Sequence, residues 1–360
     1  MRKIGVIQLI DSLHAGGAEV LAVNIANGLF EQGVNSHICA TRSEGVLKEN
    51  IHNNVGYVFL NRKDIIDFKA VLHLNKYLKK HQINLIHAHA TSYFFAVCVK
   101  VINPNIKIIW HNHFGDNEFL SKRALFPLKG VSYFFSLILS VNNNLRKWST
   151  QNLKTKNVLF IRNFAFFNNQ EKSTILKGND GKRIVHLAGY RKQKDHLNLL
   201  KGFLEISKEN NDWTLHLVGK SYDDTYSKFI DNFIEHHNLS ERVFQYGVCS
   251  DIKYVLSQSD IGVLSSYSEG LPLALLEYGL AKLAVVVTNV GECNNVIIHN
   301  TTGLIVEKRN DTALSEAIRS LVISKEKRIK FGEENFNYVS KHFSKEQFIN
   351  KLKAIYSEIV

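Results

Sequence analysis

Proline is scarce: three in 360 residues, with no low-complexity tract, which argues against a disordered chain. The four cysteines, Cys39, Cys98, Cys249 and Cys293, are scattered without metal-type spacing and suit free thiols in a reducing cytoplasm. Long apolar runs are also missing. The longest candidates, Tyr93–Ile102 and Val131–Val141, fall well short of the ~20 residues a membrane-spanning helix needs. Met1-Arg2-Lys3 followed by Ile4–Ile10 mimics the start of a signal peptide, but Gln8 and Asp11 interrupt it and no small-residue cleavage site follows. It reads as a first strand.

What is present is an ordinary apolar fraction, 45%, in a chain long enough for two domains. The net charge of +12 is uneven. Residues 1–165 carry 20 Lys+Arg against 9 Asp+Glu (+11), and residues 166–360 carry 25 against 24 (+1). A basic half can meet nucleic acid, anionic lipid or a phosphorylated substrate, or serve solubility alone. No motif with stacking aromatics is visible, so nucleic acid is not an expected partner.

The chain alternates strands and helices. Ile4–Ile10 predicts a strand, the turn to Gly16-Gly17 follows, and Val20–Gln32 predicts a helix ending at Gly33. Strands follow at Ser36–Ala40, Gly56–Leu60, Ile83–His89, Lys107–Trp110 and Leu137–Val141. Helices follow at Asp64–Lys80 and Ser92–Ile102. A polar stretch, Phe166–Gly181, reads as a linker. Alternation then resumes: strands Arg183–Ala188, Trp213–Val218, Val243–Tyr246, Asp260–Leu264, Leu283–Thr288 and Gly303–Val306; helices Leu197–Glu209, Tyr226–His237, Asp251–Gln258 and Leu273–Ala281; and a last helix within Phe343–Val360. This pattern predicts parallel sheets covered on both faces, with ligands bound beyond the carboxyl ends of the strands.

Chemistry-bearing residues collect at those ends. Two His-x-His pairs, His87/His89 and His111/His113, point two by two along their strands. They are open to three readings: a zinc site, structural histidines, or a substrate-facing role. Arg191 and Lys194 follow a strand, where two cations could neutralise a diphosphate leaving group without a metal; a solvated basic loop is the alternative. Asp223-Asp224 lacks Asp-x-Asp spacing and reads as a helix-start pair. In Ser268-Glu269-Gly270-Leu271-Pro272-Leu273-Ala274-Leu275-Leu276-Glu277, a strand, a small-residue turn and a helix start follow one another. Pro272 stands at the first helical position, and the exposed N–H groups can attract phosphate. Glu277, in the second turn, could grip two ribose hydroxyls, with Glu269 near a sugar.

This last string resembles the Glu-Gly-(Leu/Phe)-Pro-x-x-x-x-Glu signature of glycosyltransferase family 4. Gly16-Gly17-Ala18-Glu19, Lys107–His113 and Arg191–His196 are similar to other parts of that family. The resemblance implies α/β architecture: two facing Rossmann-like domains of the GT-B fold. They would comprise residues 1–165 on the acceptor side and 166–340 binding the nucleotide sugar, with 341–360 as a helix returning to the first domain. It further implies transfer from a UDP- or GDP-linked sugar to a lipid-linked or oligosaccharide acceptor in surface-polysaccharide synthesis, with retention and without a metal cofactor. By the same resemblance Gly16, Gly17, Gly189, Arg191, Lys194, Gly247, Val248, Glu269, Gly270, Leu271, Pro272, Leu273 and Glu277 bind the donor. His113 or His111 would lie at the transferred sugar, with Glu269, Arg191 and Lys194 as catalytic groups.

Asn295 stands where the family usually has glutamate, with the single Gly291 for a glycine pair. The expected place of work is the cytoplasm. There the basic stretch Phe119–Lys129 and the lysine-bearing Asp64–Lys80 helix would give peripheral contact with an anionic membrane face. A catalytically weak sugar-nucleotide-binding module and a basic nucleic-acid-binding protein are the rival functions.

Overall fold

The computed structural model describes Lys3–Phe114, Asn117–Phe167 and Glu171–Val360. It divides into two compact units, Met1–Phe164 with Lys345–Val360, and Ala165–Ser344.

The first unit holds β1 (Gly5–Ser12), α1 (Gly17–Glu31), β2 (Asn35–Ser43), β3 (Gly56–Phe59), α2 (Phe68–Lys80), β4 (Leu85–His89), α3 (Tyr93–Ile102), β5 (Lys107–Asn112), α4 (Leu128–Val131), β6 (Leu137–Ser140), α5 (Asn143–Asn152) and β7 (Val158–Phe160). The seven strands are parallel in the order β3-β2-β1-β4-β5-β6-β7. Strands buried on both faces carry near-continuous apolar runs, which is how Ile7, Leu9, Ile86, Ala88, Ile108 and Trp110 come to fill one core with Val71, Leu74 and Phe95 from the helices. On the opposite face, Ile10, Ile38 and Ala40 pack on Ala22, Val23 and Ala26 of α1.

The second unit holds β8 (Arg183–Leu187), α6 (His196–Glu209), β9 (Thr214–Val218), α7 (Thr225–His236), β10 (Val243–Gln245), α8 (Ile252–Ser257), β11 (Ile261–Leu264), α9 (Leu273–Leu280), β12 (Ala284–Thr288), α10 (Cys293–Val296), β13 (Gly303–Val306), α11 (Asp311–Val322) and α12 (Lys325–His342). Its sheet is parallel, ordered β10-β9-β8-β11-β12-β13. In chain order this is 3-2-1-4-5-6, the doubly wound arrangement whose switch point lies between β8 and β11. The first sheet has the corresponding point between β1 and β4.

The closing helix, α13 (Lys345–Ile359), belongs to the first unit. Its Ile349 lies on Gly28 of α1, and Lys345 pairs with Glu31 at 2.7 Å.

Several boundaries differ from the sequence expectation, each for a local reason. The helix expected from Asp64 starts at Phe68. The buried Arg62 guanidinium donates to the carbonyls of Asp64 and Ile65 (3.0 and 2.9 Å), holding that stretch out of the helix, and Asp67 caps the Ala70 N–H instead. Asp251 does not enter a helix either: its carboxylate accepts the N–H groups of Ser173 and Thr174, both at 2.8 Å. Strand β5 runs two residues further than expected and includes His111 and Asn112. Pro272 is the N-cap of α9, one position ahead of its expected place. Asp224 caps α7 through Ser227 N, while Asp223 takes a left-handed conformation before it.

Candidate active site

In the second unit the candidate residues gather where β8 and β11 end. After β8 the chain turns through Gly189 to Arg191 and Lys194, then enters α6 with Asp195 as a left-handed N-cap. After β11 it turns through Ser265–Pro272 into α9. The two turns are stitched together. Ser265 Oγ donates to the carbonyls of Lys194 and Asp195 (3.1 and 3.0 Å), and Tyr267 N donates to Gln193 O (2.9 Å).

The stitching brings Lys194 Nζ to 2.6 Å from Glu269 Oε1, which also accepts from Ser266 Oγ at 2.6 Å. Glu269 is almost fully buried and Lys194 is partly open. An ammonium has three donors, so this ion pair engages part of its capacity and leaves the rest for an anion. Arg191 is exposed and rests on Tyr222. Its Nε and Nη2 donate to the Tyr222 hydroxyl (3.1 and 3.0 Å), with the guanidinium 5.6 Å from the ring centre.

Glu277 is different. Among the described residues no hydrogen bond or ion pair reaches its carboxylate, and burial pushes its pKa up to about 7. A partly buried carboxylate without a donor is a costly group in isolation and a strong acceptor for hydroxyls brought to it. Its helix is seated by Tyr278, whose hydroxyl accepts from Leu187 N (2.7 Å) and donates to Val263 O (3.2 Å). That seat exists because residue 262 is glycine; a Cβ there would lie 2.6 Å from the Tyr278 ring.

The turn before α9 is clasped from β12. Glu292 N donates to Gly270 O at 2.9 Å, and Gly291, at φ +55°, comes so close that a Cβ would lie 2.1 Å from Glu269 O. The one glycine retained of the usual pair is therefore the one this approach requires. Asn295 does not replace a carboxylate here: its amide donates to Glu292, which is itself nearly buried. Gly247 takes φ +63° at the end of β10, and Val248 beyond it is half-buried. Leu271, Pro272 and Leu273 are buried, and Gly189 has room for a Cβ. Sequence reasoning missed Ser266, Tyr222 and Glu292; small polar and aromatic residues in turns carry no spacing signal, and only the fold shows what they touch.

In the first unit, Gly16 is the N-cap of α1, and a Cβ on Gly17 would meet nothing within 4 Å. His87, His89 and His111 have no accessible surface, whereas His113, just past β5, is half-buried and alone of its pair reaches the exterior. His113 Nε2 lies 3.1 Å from His89 Nδ1, and burial lowers its pKa to about 3, so it is a neutral imidazole.

Two family descriptions match most of this chain: "Glycosyltransferase Family 4" over residues 15–164 and "Glycosyl transferases group 1" over residues 167–338. The chain is a glycosyltransferase built from a family 4 domain and a group 1 domain. This glycosyltransferase is 23% identical over 363 residues to an uncharacterized glycosyltransferase of Haemophilus influenzae, covering 99% of this chain and 100% of that one. It is 28% identical over 131 residues to the UDP-Gal:alpha-D-GlcNAc-diphosphoundecaprenol alpha-1,3-galactosyltransferase of Escherichia coli, covering 36% of this chain and 33% of the relative. Among solved structures it is similar to Anabaena HepE in complex with UDP-glucose, with a TM-score of 0.80 and 15% identity, covering 99% of this chain and 100% of that one. The family and the doubly wound sheets together establish a glycosyltransferase of the GT-B fold.

Proposed function

We propose that this glycosyltransferase moves a sugar from a UDP- or GDP-linked donor to a lipid-linked or oligosaccharide acceptor in cell-surface polysaccharide synthesis, with retention and without a divalent metal. The observation that carries the reading is the convergence at the β8/β11 switch point: Lys194 on Glu269 in the turn before α9, Arg191 in the same loop as Lys194, and Glu277 without a partner among the described residues. When the bond from the anomeric carbon to the diphosphate breaks, the departing oxygen keeps the electron pair. Fixed cations and helix N–H groups can take up that charge, as a divalent ion does elsewhere. Glu277 would hold the ribose through two charged hydrogen bonds, while Glu269 would border the transferred sugar. The acceptor class rests on the Escherichia coli relative named for a diphosphoundecaprenol-linked substrate, and the donor class on HepE with UDP-glucose.

The reading includes peripheral contact with an anionic membrane at its cytoplasmic face. No helix among the described residues is long and apolar enough to cross a membrane. Instead the first unit exposes large apolar side chains next to cations: Phe126 at 91% and Tyr133 at 78% beside Lys129, and Phe68 and Leu72 on the lysine-bearing α2. Leu128 is core, and Leu120 and Leu125 pack partly against it, so in the Leu120–Lys129 stretch the apolar residue left for a membrane is Phe126.

Incubation of the purified chain with radiolabelled UDP- and GDP-sugars and an undecaprenyl-diphosphate glycan tests the reading. A labelled lipid product with the donor's anomeric configuration, formed in EDTA, is expected. Donor binding without transfer to any lipid-linked or free glycan overturns it.

A further inference from the structure

We infer that His87, His89 and His111 form a buried site for a transition-metal dication, with Zn2+ the ion the donor set fits best. The three rings lie on one face of the first sheet, near the ends of adjacent strands; His89 and His111 are direct register partners, and His87 is two residues before His89. One ring nitrogen from each lies within 4.8 Å of the others. A tetrahedral zinc sets nitrogen ligands about 3.4 Å apart, so rotations of roughly an ångström close the site.

Two features point to a bound ion. Both ring nitrogens of His111, and Nε2 of His87, are buried without a hydrogen-bond partner. Buried polar atoms almost always have one, and two such rings within reach of a third ask for a shared occupant. Second, an outer shell is in place. The Tyr356 hydroxyl of α13 lies 2.6 Å from His87 Nδ1, leaving Nε2 as the ligand atom of that ring, and His89 Nε2–H donates to Gln8 Oε1 at 2.9 Å, which leaves Nδ1, 3.1 Å from His113 Nε2, as the atom that ring would turn to the ion.

An all-imidazole set without carboxylate suits zinc, copper or nickel and not magnesium or calcium. The ion would therefore be of another kind from one that binds a diphosphate, and it would not enter the transfer chemistry. Its effect would be positional. Binding through His89 Nδ1 would take that nitrogen from His113, and holding His87 ties β4 to Tyr356 of the closing helix.

The test uses the full, untagged chain produced in zinc-supplemented medium and desalted by gel filtration. Elemental analysis is expected to find about one zinc per chain, and less than about a tenth of that in His111→Phe, which fills the site with an apolar ring. Refolding the wild type with Co2+ gives a second readout that does not depend on the variant's folding. The intense visible bands of four-coordinate Co2+ are expected. Zinc well below one per chain, equal zinc in His111→Phe, or a Co2+ spectrum like that of the free aqueous ion overturns the inference. None of these readouts depends on sugar transfer.

Discussion

Lys194 and Glu269 meet at 2.6 Å although 75 residues separate them in the chain, because they leave the ends of two paired strands, β8 and β11. In the proposed reading, the pair joins the cation that takes up diphosphate charge to the carboxylate that borders the sugar. Each substitution there should affect both charge stabilisation and local folding. Lys194→Ala should lower turnover by roughly 10²–10³-fold, the usual loss of a preorganised charge stabiliser. It should also cost about 1.5–3 kcal/mol of stability in the second unit, since Glu269 keeps its burial and loses a charged hydrogen bond. Steady-state kinetics with saturating donor, beside chemical denaturation, measure the two. Unchanged turnover with lowered stability would make the pair structural only.

Glu277 carries the pH dependence. Its folded pKa of about 7 lies above the ordinary 4.5, so the folded state holds the proton more tightly than the unfolded one. Stability from this group is therefore greatest below pH 4.5 and falls as pH rises through about 7. Donor binding should run the other way, because the ionised carboxylate accepts ribose hydroxyls more strongly. Calorimetric titration with UDP or GDP should show affinity rising between pH 6 and 8 in the wild type. Glu277→Gln should bind about tenfold or more weakly at pH 8, with a flat profile. The same variant should stabilise the ligand-free protein at pH 8. A wild-type profile as flat as the variant's would remove Glu277 from the ribose.

The clasp at Gly291 makes a separate prediction. Gly291→Ala places a side chain at φ +55° and against the Glu269 carbonyl. Left-handed strain alone costs about 1–2 kcal/mol, and the clash must move the turn that carries Glu269. Both a lower Tm and weaker donor binding are expected. A Tm drop with unchanged donor affinity would mean the turn absorbs the shift without moving the site.

The alternation of apolar strands and amphipathic helices was readable from the sequence because parallel strands buried on both faces and helices packed on one carry different periods. Glu269 and Glu277 were readable because a strand, a small-residue turn and a helix start are local. What was not readable is tertiary. Arg62 delays α2 by capturing carbonyls, Asp251 turns away from α8 to hold Ser173 and Thr174, and Ser266 shares the carboxylate of Glu269. In the sequence, His111 and His113 were alternatives for the place at the transferred sugar. Burial separates them, leaving His111 inside the sheet face and His113 at its rim.

Membrane contact makes the last prediction. Phe126 and Tyr133 are almost bare beside Lys129 in a unit whose Lys and Arg exceed Asp and Glu by eleven over residues 1–165. Side chains so exposed contribute nothing to the core, so replacing them should leave folding intact. Each basic residue near an anionic surface contributes about 1 kcal/mol, and burying a large aromatic adds roughly 1.5–3 kcal/mol. Co-sedimentation should therefore favour vesicles with anionic lipid over neutral ones and weaken as salt rises. Phe126→Ser should reduce vesicle binding about tenfold at constant salt, with an unchanged Tm, because it removes insertion but no charge. Equal recovery on neutral and anionic vesicles, or no loss in Phe126→Ser, would assign the charge split to solubility and leave the acceptor to reach the enzyme from solution.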